Sequence, residues 1–318
     1  MRVAAVDLGT NSTRLLVADV DDGRVDEVVR RLKITRLGEG VDERKRLLPT
    51  PIARVRNVLT DFRREAEQLE AERTLAIATS AIRDAENGEA FLGEVEWSYG
   101  FKTRLLSGHE EAQLTFRGVS AGRRLPEDTL VVDIGGGSTE LVAGGSSELR
   151  FHDSLDLGCV RLTERFLRSD PPTDPELADC ADAVEKLLSQ RIPPDLRPGA
   201  AIGVAGTITS IAALDLDLGE YDPERVHGHV ISMEGARAQL ERLASLALAE
   251  RRRLPALDPE RAPVIVAGAV ILAQVLRHFG VASIEASERD ILDGAALEAA
   301  SLPAPEEGAA PPGAYTCC

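Results

Sequence analysis

Aromatic residues are scarce in this chain: seven Phe, three Tyr and one Trp amount to 3% of its 318 residues. Its cores must therefore be assembled from Ala, Val, Leu and Ile, the other residues that favour full burial. Cysteine is scarce too. The four present, Cys159, Cys180, Cys317 and Cys318, show no metal-ligand spacing and exclude a dense disulfide framework. A reducing cytoplasm is the expected compartment. No stretch approaches the ~18 apolar residues of a transmembrane helix, so no membrane partner is expected. The amino terminus lacks the charged-then-apolar layout of a signal segment, because Asp7 interrupts its first apolar run. Basic charge is in deficit: 37 Lys and Arg against 53 Asp and Glu leave a formal net charge of -16. Such a field repels phosphate backbones and excludes broad nucleic-acid binding. An anionic ligand would need a local site of backbone N–H groups, a few Arg and a cation to overcome it.

What is present is ordinary for a globular protein, 43% hydrophobic and 28% charged. The length suggests two domains at about 100–200 residues each, both large enough to bury a core without staples. Residues 2–8 (RVAAVDL) and 15–20 (LLVADV) read as a β-hairpin around a tight polar loop. Thr50-Pro51 opens a helix with Pro in its first turn, continued at helical spacing by Ile52, Val55, Leu59, Phe62, Ala66 and Leu69. TLAIATS (74–80) reads as a buried strand and 110–121 as a helix, an alternation that argues for an α/β layer fold. GRRLP near 122–126 marks a boundary. Beyond it, helices are expected near 159–168, 174–191, 234–249 and 259–279, with a closing helix over 290–300. AIGVAGTITSIAAL (201–214) reads as strand, Gly turn and helix, and 281–286 as a strand. The Pro-, Ala- and Gly-rich end, 302–318, is expected to be a disordered tail.

The chain repeats itself. VAAVDLGTNSTRLLVAD (3–19) lies over LVVDIGGGSTELVAG (130–144) at an offset of 126, which is 133 minus 7. Asp7 then meets Asp133, Gly9 meets Gly135, Ser12 meets Ser138, Thr13 meets Thr139 and Leu15 meets Leu141. One unit of strand, Asp-x-Gly turn, polar loop and strand occurs twice, and so long a period points to two similar domains rather than a solenoid. In such turns successive N–H groups point into one concavity, which binds phosphate oxygens without bulk positive charge. Gly9, Thr10, Asn11 and Ser12 form one cradle; Gly135, Gly136, Gly137 and Ser138 form the other. Asp7 and Asp133, one step before the turns, are candidate Mg²⁺ partners through water, or orienters of an attacking water. The alternative is that each acid caps its own turn.

The two copies differ in one charge. Arg14, in the first, suits bidentate phosphate contact. Glu140, its counterpart, needs a metal, a water or a salt bridge. The first loop therefore reads as the anion cradle and the second as the metal and water side. ATSAIRDAEN (78–87) ends a strand and sets Arg83 beside Asp84; LLSGHEEAQLTF (105–116) ends another and begins a helix with Glu110 and Glu111. Acidic residues in a first helical turn also suit the macrodipole, so spacing alone leaves Glu111 open between general base and helix start.

Six motifs in order, AAVDLGTNSTRLL, ATSAIRDAEN, LLSGHEEAQLTFRGV, VVDIGGGSTELV, SLDLGCVRLTERF and GVAGTITSIAAL, resemble the exopolyphosphatase / guanosine pentaphosphate phosphohydrolase family. ERAPVIVAGAVIL and ASERDILDGA extend the resemblance to about residues 3–300. It implies the fold of actin-like ATPases and acetate and sugar kinases: two ribonuclease-H-like α/β lobes facing a cleft. Lobe I would be 1–121 with a returning helix at 292–301, and lobe II would be 122–291. It implies Mg²⁺-assisted removal of a terminal phosphate from inorganic polyphosphate, guanosine pentaphosphate or both. By motif position Glu111 is the catalytic base, with Asp133 and Glu140 beside it. Asp7, Asp133 and Glu140 would serve the metal; Arg14, Arg83, Gly206, Thr207 and Arg261 would join the loops as phosphate contacts. Thr10 stands where Ser is commoner in the family but keeps the hydroxyl. Longer members carry a further C-terminal helical region that this sequence does not include, so neither long-polymer processivity nor a dimer built from that region is expected; another homodimer stays open.

Two other readings share these motifs. A kinase or ATPase of the same superfamily would use both loops for a nucleotide, and a polyphosphate or alarmone sensor would bind without hydrolysis. Other residues read as structural. Cys159 is a small buried residue, His227 and His229 lack a third ligand at metal spacing, and Arg251–Arg253 is a solvated turn. Cys317-Cys318 ends the tail and does not fit a prenylation signal.

Overall fold

The computed structural model describes residues 1–145 and 149–303. The expected tail lies outside the described residues apart from Leu302 and Pro303, and so do Cys317 and Cys318. The chain divides into two compact units, Met1–Arg123 together with the chain from Arg289, and Arg124–Glu288.

The first unit runs β1 (Arg2–Leu8), β2 (Ser12–Asp21), β3 (Arg24–Ile34), α1 (Val41–Arg44), α2 (Pro49–Gln68), β4 (Arg73–Ala78), α3 (Ser80–Arg83), α4 (Gly88–Tyr99), β5 (Lys102–Leu105) and α5 (Gly108–Ser120). The second runs β6 (Thr129–Ile134), β7 (Thr139–Gly144), β8 (Leu149–Leu155), α6 (Cys159–Phe166), α7 (Asp174–Arg191), β9 (Ala200–Val204), α8 (Ala205–Asp215), α9 (Pro223–Val226), β10 (Val230–Ser232), α10 (Met233–Ser245), α11 (Leu248–Arg251), α12 (Ile265–Phe279) and β11 (Ser283–Ala286). The chain then returns to the first unit as α13 (Ile291–Ser301).

The first sheet has the order β3-β2-β1-β4-β5. β1 pairs antiparallel with β2 and parallel with β4, and β4 pairs parallel with β5. A strand covered on both faces reads as a continuous apolar run, which β1 does. Its alternate residues feed separate cores. Ala4, Val6 and Leu8 join Val55, Leu59 and Phe62 of α2. Val3 and Ala5 join Leu114 of α5 and Leu292, Ala295 and Ala296 of α13. The same alternation sends Asp7 toward the α5 and α13 side.

The second sheet repeats the plan as β8-β7-β6-β9-β11, with β10 added at the edge. β6 pairs antiparallel with β7 and parallel with β9, and β9 pairs parallel with β11. Both units thus carry the α/β, ribonuclease-H-like order that the resemblance implies. The second core is aliphatic, led by α12, in which twelve of fifteen residues are buried.

Several elements differ from the expectation. α12 begins at Ile265, not 259, because Pro263 interrupts the approach and disfavours helical backbone at the residue before it. The 201–214 segment has no Gly turn: β9 passes directly into α8, and the residue with positive φ is Ala205, at 66°. β3, α4, β8 and β10 carry weak signals. β3 (RVDEVVRRLKI) is an edge strand with little burial, so its residues do not alternate in polarity.

Candidate functional site

The two loops of the repeat are built alike. Gly9 N–H donates to Ser12 O at 3.0 Å, and Gly135 N–H donates to Ser138 O at 3.0 Å. Across the hairpins Asp7 registers with Arg14, and Asp133 with Glu140. In each case the following segment ties down the loop carbonyls. Thr10 O accepts from Gly38 N–H at 2.8 Å, and Asn11 O from Thr35 and Arg36 N–H at 3.1 and 2.9 Å. Gly135 O accepts from Cys159 N–H at 3.0 Å, Gly136 O from Val160 N–H at 2.9 Å, and Gly137 O from Arg161 Nε at 2.7 Å. A planar trans peptide points its N–H opposite to its C=O. The N–H groups of Asn11, Gly136, Gly137 and Ser138 are thereby aimed away from their supports, as an anion-binding nest requires.

In both units the two loops and several further candidate residues follow the carboxyl ends of parallel strands, where α/β sheets hold ligands. In the first, the Asp7 loop follows β1, Arg83 follows β4 and Glu111 follows β5. Thr10 Oγ1 and Ser80 Oγ share a buried hydrogen bond of 2.8 Å that joins the β1 loop to α3. Arg83 Nη1, at the end of α3, donates to Glu111 Oε2 at 3.0 Å and to Leu106 O at 2.8 Å.

The two adjacent glutamates of α5 have different surroundings. Ser107 and Glu110 form a capping box: Ser107 Oγ accepts from Glu110 N–H at 3.3 Å, and Glu110 Oε2 accepts from Ser107 N–H at 2.8 Å. That backbone bond, with Arg104 and the Ser107 hydroxyl, lowers the Glu110 carboxyl to about 2. Glu110 therefore fills the helix-start role. Glu111, 6% exposed, turns inward to Arg83.

Arg14 is not an open phosphate clamp. Its Nε and Nη2 donate to Asp7 Oδ2 at 2.9 and 2.7 Å, and its Nη1 donates to Asp290 Oδ2, so two carboxylates take up the guanidinium. Asp290, at the N-cap of α13, was not among the expected site residues: its cap signal is local, but its partner lies 276 residues away. Burial pushes the Asp7 carboxyl above its ordinary range despite Arg14. Burial also acts on Asp290, but Arg14 and Arg30 together outweigh it and hold that carboxyl low. The other Asp7 oxygen, Oδ1, and both polar atoms of the Asn11 side chain are buried without a hydrogen-bond partner among the described residues. Native structures rarely leave buried polar atoms unpaired, so three on one loop mark a place for a ligand, ion or water.

In the second unit Asp133 and Glu140 are 7% and 1% exposed, and Glu140 Oε1 accepts from Ser154 Oγ at 2.7 Å. Gly206 follows β9, and a Cβ there would stand 2.1 Å from the Arg261 guanidinium, so this pair of expected phosphate contacts is in direct touch. Thr207 is buried beneath them, against Gly268. Burial pushes the Cys159 thiol up, while Arg261 and Thr207 act against it. His229 Nε2 pairs with Asp215 Oδ2 at 2.8 Å, and His227 Nδ1 accepts from Glu288 N–H at 3.2 Å. The expected solvated turn at Arg251–Arg253 holds only for Arg252 and Arg253. Arg251 is buried, because α11 folds it onto Asp170 Oδ1 at 3.0 Å. Among the described residues no three His, Cys, Asp or Glu side chains gather as a metal cage, and no helix is long and apolar enough to cross a membrane.

A model of the Ppx/GppA phosphatase family matches residues 16–301. Exopolyphosphatase 2 of Mycobacterium tuberculosis is 38% identical over 323 residues, spanning 94% of this chain and 98% of its own. The crystal structure of an exopolyphosphatase-like protein matches with a TM-score of 0.88 at 36% identity, over 94% of this chain and 98% of that one. A Ppx/GppA family member from Aquifex aeolicus matches with a TM-score of 0.78 at 32% identity, over 95% and 97%.

Proposed function

As the chain belongs to the Ppx/GppA phosphatase family, we propose that it hydrolyses the terminal phosphoanhydride of inorganic polyphosphate, with guanosine pentaphosphate as a second substrate, by attack of water activated at Glu111. The observation that carries this reading is the contrast between two neighbouring carboxylates: Glu110 caps the helix, while Glu111 is buried and bound to Arg83 at 3.0 Å. A base needs a fixed direction, and the Arg83 bond to Oε2 supplies it. The exopolyphosphatase names of the relatives support polyphosphate as substrate.

Phosphoryl transfer asks for positioning and for charge stabilisation around the transferred group. The aimed N–H groups of both loops and the Gly206–Arg261 pair supply donors to phosphate oxygens. Arg14 acts through Asp7, whose position it sets, rather than on phosphate directly. The residues fit Mg²⁺ of the kind that keeps most of its waters, since Asp7 Oδ1 is a buried carboxylate oxygen without a partner among the described residues and no full cage exists there. Asp7 would hold it from the first unit through that oxygen, largely by way of its waters, and when bound it would neutralise charge developing on the phosphates.

The test is phosphate release with Mg²⁺ from polyphosphate, guanosine pentaphosphate and ATP, measured side by side. Polyphosphate is expected to be turned over far faster than ATP. Rapid ATP turnover with inert polyphosphate would favour a kinase or ATPase, and tight polyphosphate binding without release a sensor.

A further inference from the structure

The start of α13 meets both parts of the first unit given a catalytic role above. On one side Asp290 Oδ2 accepts from Arg14 Nη1, while Nε and Nη2 of the same guanidinium donate to Asp7 Oδ2. On the other, α13 crosses α5 with no side chain between the backbones. A Cβ on Gly118 would lie 1.8 Å from Asp290 O, and one on Gly294 would lie 2.0 Å from Leu114 O. Gly118 is on the same helix as Glu111, about two turns further along. Asp290 is itself held on every side. Its Oδ1 accepts from Leu292 N–H at 2.9 Å, its N–H donates to Asp293 Oδ2 at 3.1 Å, and Arg30 reaches Asp290 Oδ1 at 3.8 Å and Asp293 Oδ2 at 2.9 Å.

An Arg beside a carboxylate prefers the fork-to-fork arrangement, with one N–H on each oxygen. Arg14 does not adopt it. Two of its nitrogens converge on Asp7 Oδ2, and Asp7 Oδ1 stays without a partner among the described residues. The third nitrogen is anchored on Asp290. We propose that Asp290 is a positioning residue: by gripping Nη1 from the far side it fixes the guanidinium where Nε and Nη2 both meet Asp7 Oδ2, and so keeps Asp7 Oδ1 available to the cation and water of the reaction. Arg30 and Asp293 fix Asp290, and the glycine crossing sets it against the helix of Glu111. The inference rests on the reading that Asp7 serves the cation.

Asp290→Asn tests it, because Asn is as good an N-cap as Asp and the fold should be kept. Its amide N–H would face Arg14 Nη1, donor against donor, releasing the guanidinium. With polyphosphate, kcat should fall at least ~10-fold, on the scale of a misplaced catalytic group. The Mg²⁺ concentration for half-maximal rate should rise. The increase in thermal midpoint that Mg²⁺ produces in the substrate-free protein should shrink, as linkage requires. Should Asp290→Asn fold poorly, Asp290→Ser, also a good cap but too short to reach Arg14, carries the test. A folded variant with wild-type kcat and wild-type Mg²⁺ response overturns the proposal, even if its thermal midpoint is lower, since Asp290 would then be a helix cap only. Asp7→Asn in parallel separates the two readings. If it keeps the wild-type Mg²⁺ response, the reading of Asp7 as a cation residue is what failed. If it loses that response while the Asp290 variants keep it, only the positioning role is lost.

Discussion

Glu110 and Glu111 show how far a residue can be read without its surroundings. Motif position singled out Glu111, but spacing could not separate a base from a helix start, because the macrodipole favours acids at both positions. Burial and the Arg83 bond set the surroundings of Glu111 apart from those of Glu110. Glu110→Gln should leave hydrolysis near wild type and cost ~0.3–1 kcal/mol of stability at neutral pH, the worth of a negative charge at a helix start, since Gln can still complete the capping box. The folded Glu110 carboxyl is lowered to about 2, below the unfolded ~4.3. Its contribution is therefore present above about pH 4.3 and is lost as pH falls toward about 2. Denaturation of both proteins from pH 7 to 3 should show the gap narrowing only at the acid end. At Gly206 the prediction concerns space. In Gly206→Ala the new Cβ would stand 2.1 Å from the Arg261 guanidinium, so Arg261 must move. We expect KM for polyphosphate to rise at least ~10-fold, or ~1.4 kcal/mol, with kcat less affected. An unchanged KM would remove Arg261 from the phosphate contacts.

Elements were legible in proportion to their burial. β1 and α12 are covered on all sides and wrote themselves as apolar runs; α2 showed the helical period of Val55, Leu59 and Phe62. β3 was not legible, because an edge strand faces water with most of its residues. Its edge is guarded by a register shift opposite Val17 and Ala18 and by Arg30, Arg31 and Lys33, devices that deter pairing with another chain. The loops were legible as a repeat, yet the carbonyl ties that aim their N–H groups come from residues 35–38 and 159–161, whose sequence carries no sign of that task. α13 was legible as a helix, but not its hold on Arg14. The core side of α2 supplies a stability test: Phe62, 3% exposed, is expected to cost ~3–5 kcal/mol on truncation to Ala. Chemical denaturation measures it, and a loss below ~1 kcal/mol would mean that this face is not core.

At the scale of the whole molecule, an offset of 126 residues in sequence became two sheets with the same strand order and the same hairpin bond. The repeat was readable because Asp, Gly, Ser and Thr recur in register. The departure between its halves, Arg14 against Glu140, was readable as a difference in charge but not in purpose, since Asp290 decides what Arg14 does. The net charge of -16 has its own consequence. An acidic protein repels a polyanionic substrate, and screening shortens from ~30 Å at 0.01 M salt to ~8 Å at 0.15 M. With free Mg²⁺ fixed, kcat/KM for polyphosphate should rise over that range. A steep fall would instead indicate a basic approach surface that the composition hides.

The central claim is that water attacks the terminal phosphate with Glu111 as its base. Hydrolysis of polyphosphate in ¹⁸O-labelled water by the wild type and by Glu111→Gln tests it most directly. The account predicts one labelled oxygen in each phosphate released by the wild type, and a rate at least ~100-fold lower in the variant with substrate binding kept. Labelled phosphate released by Glu111→Gln at the wild-type rate would contradict it.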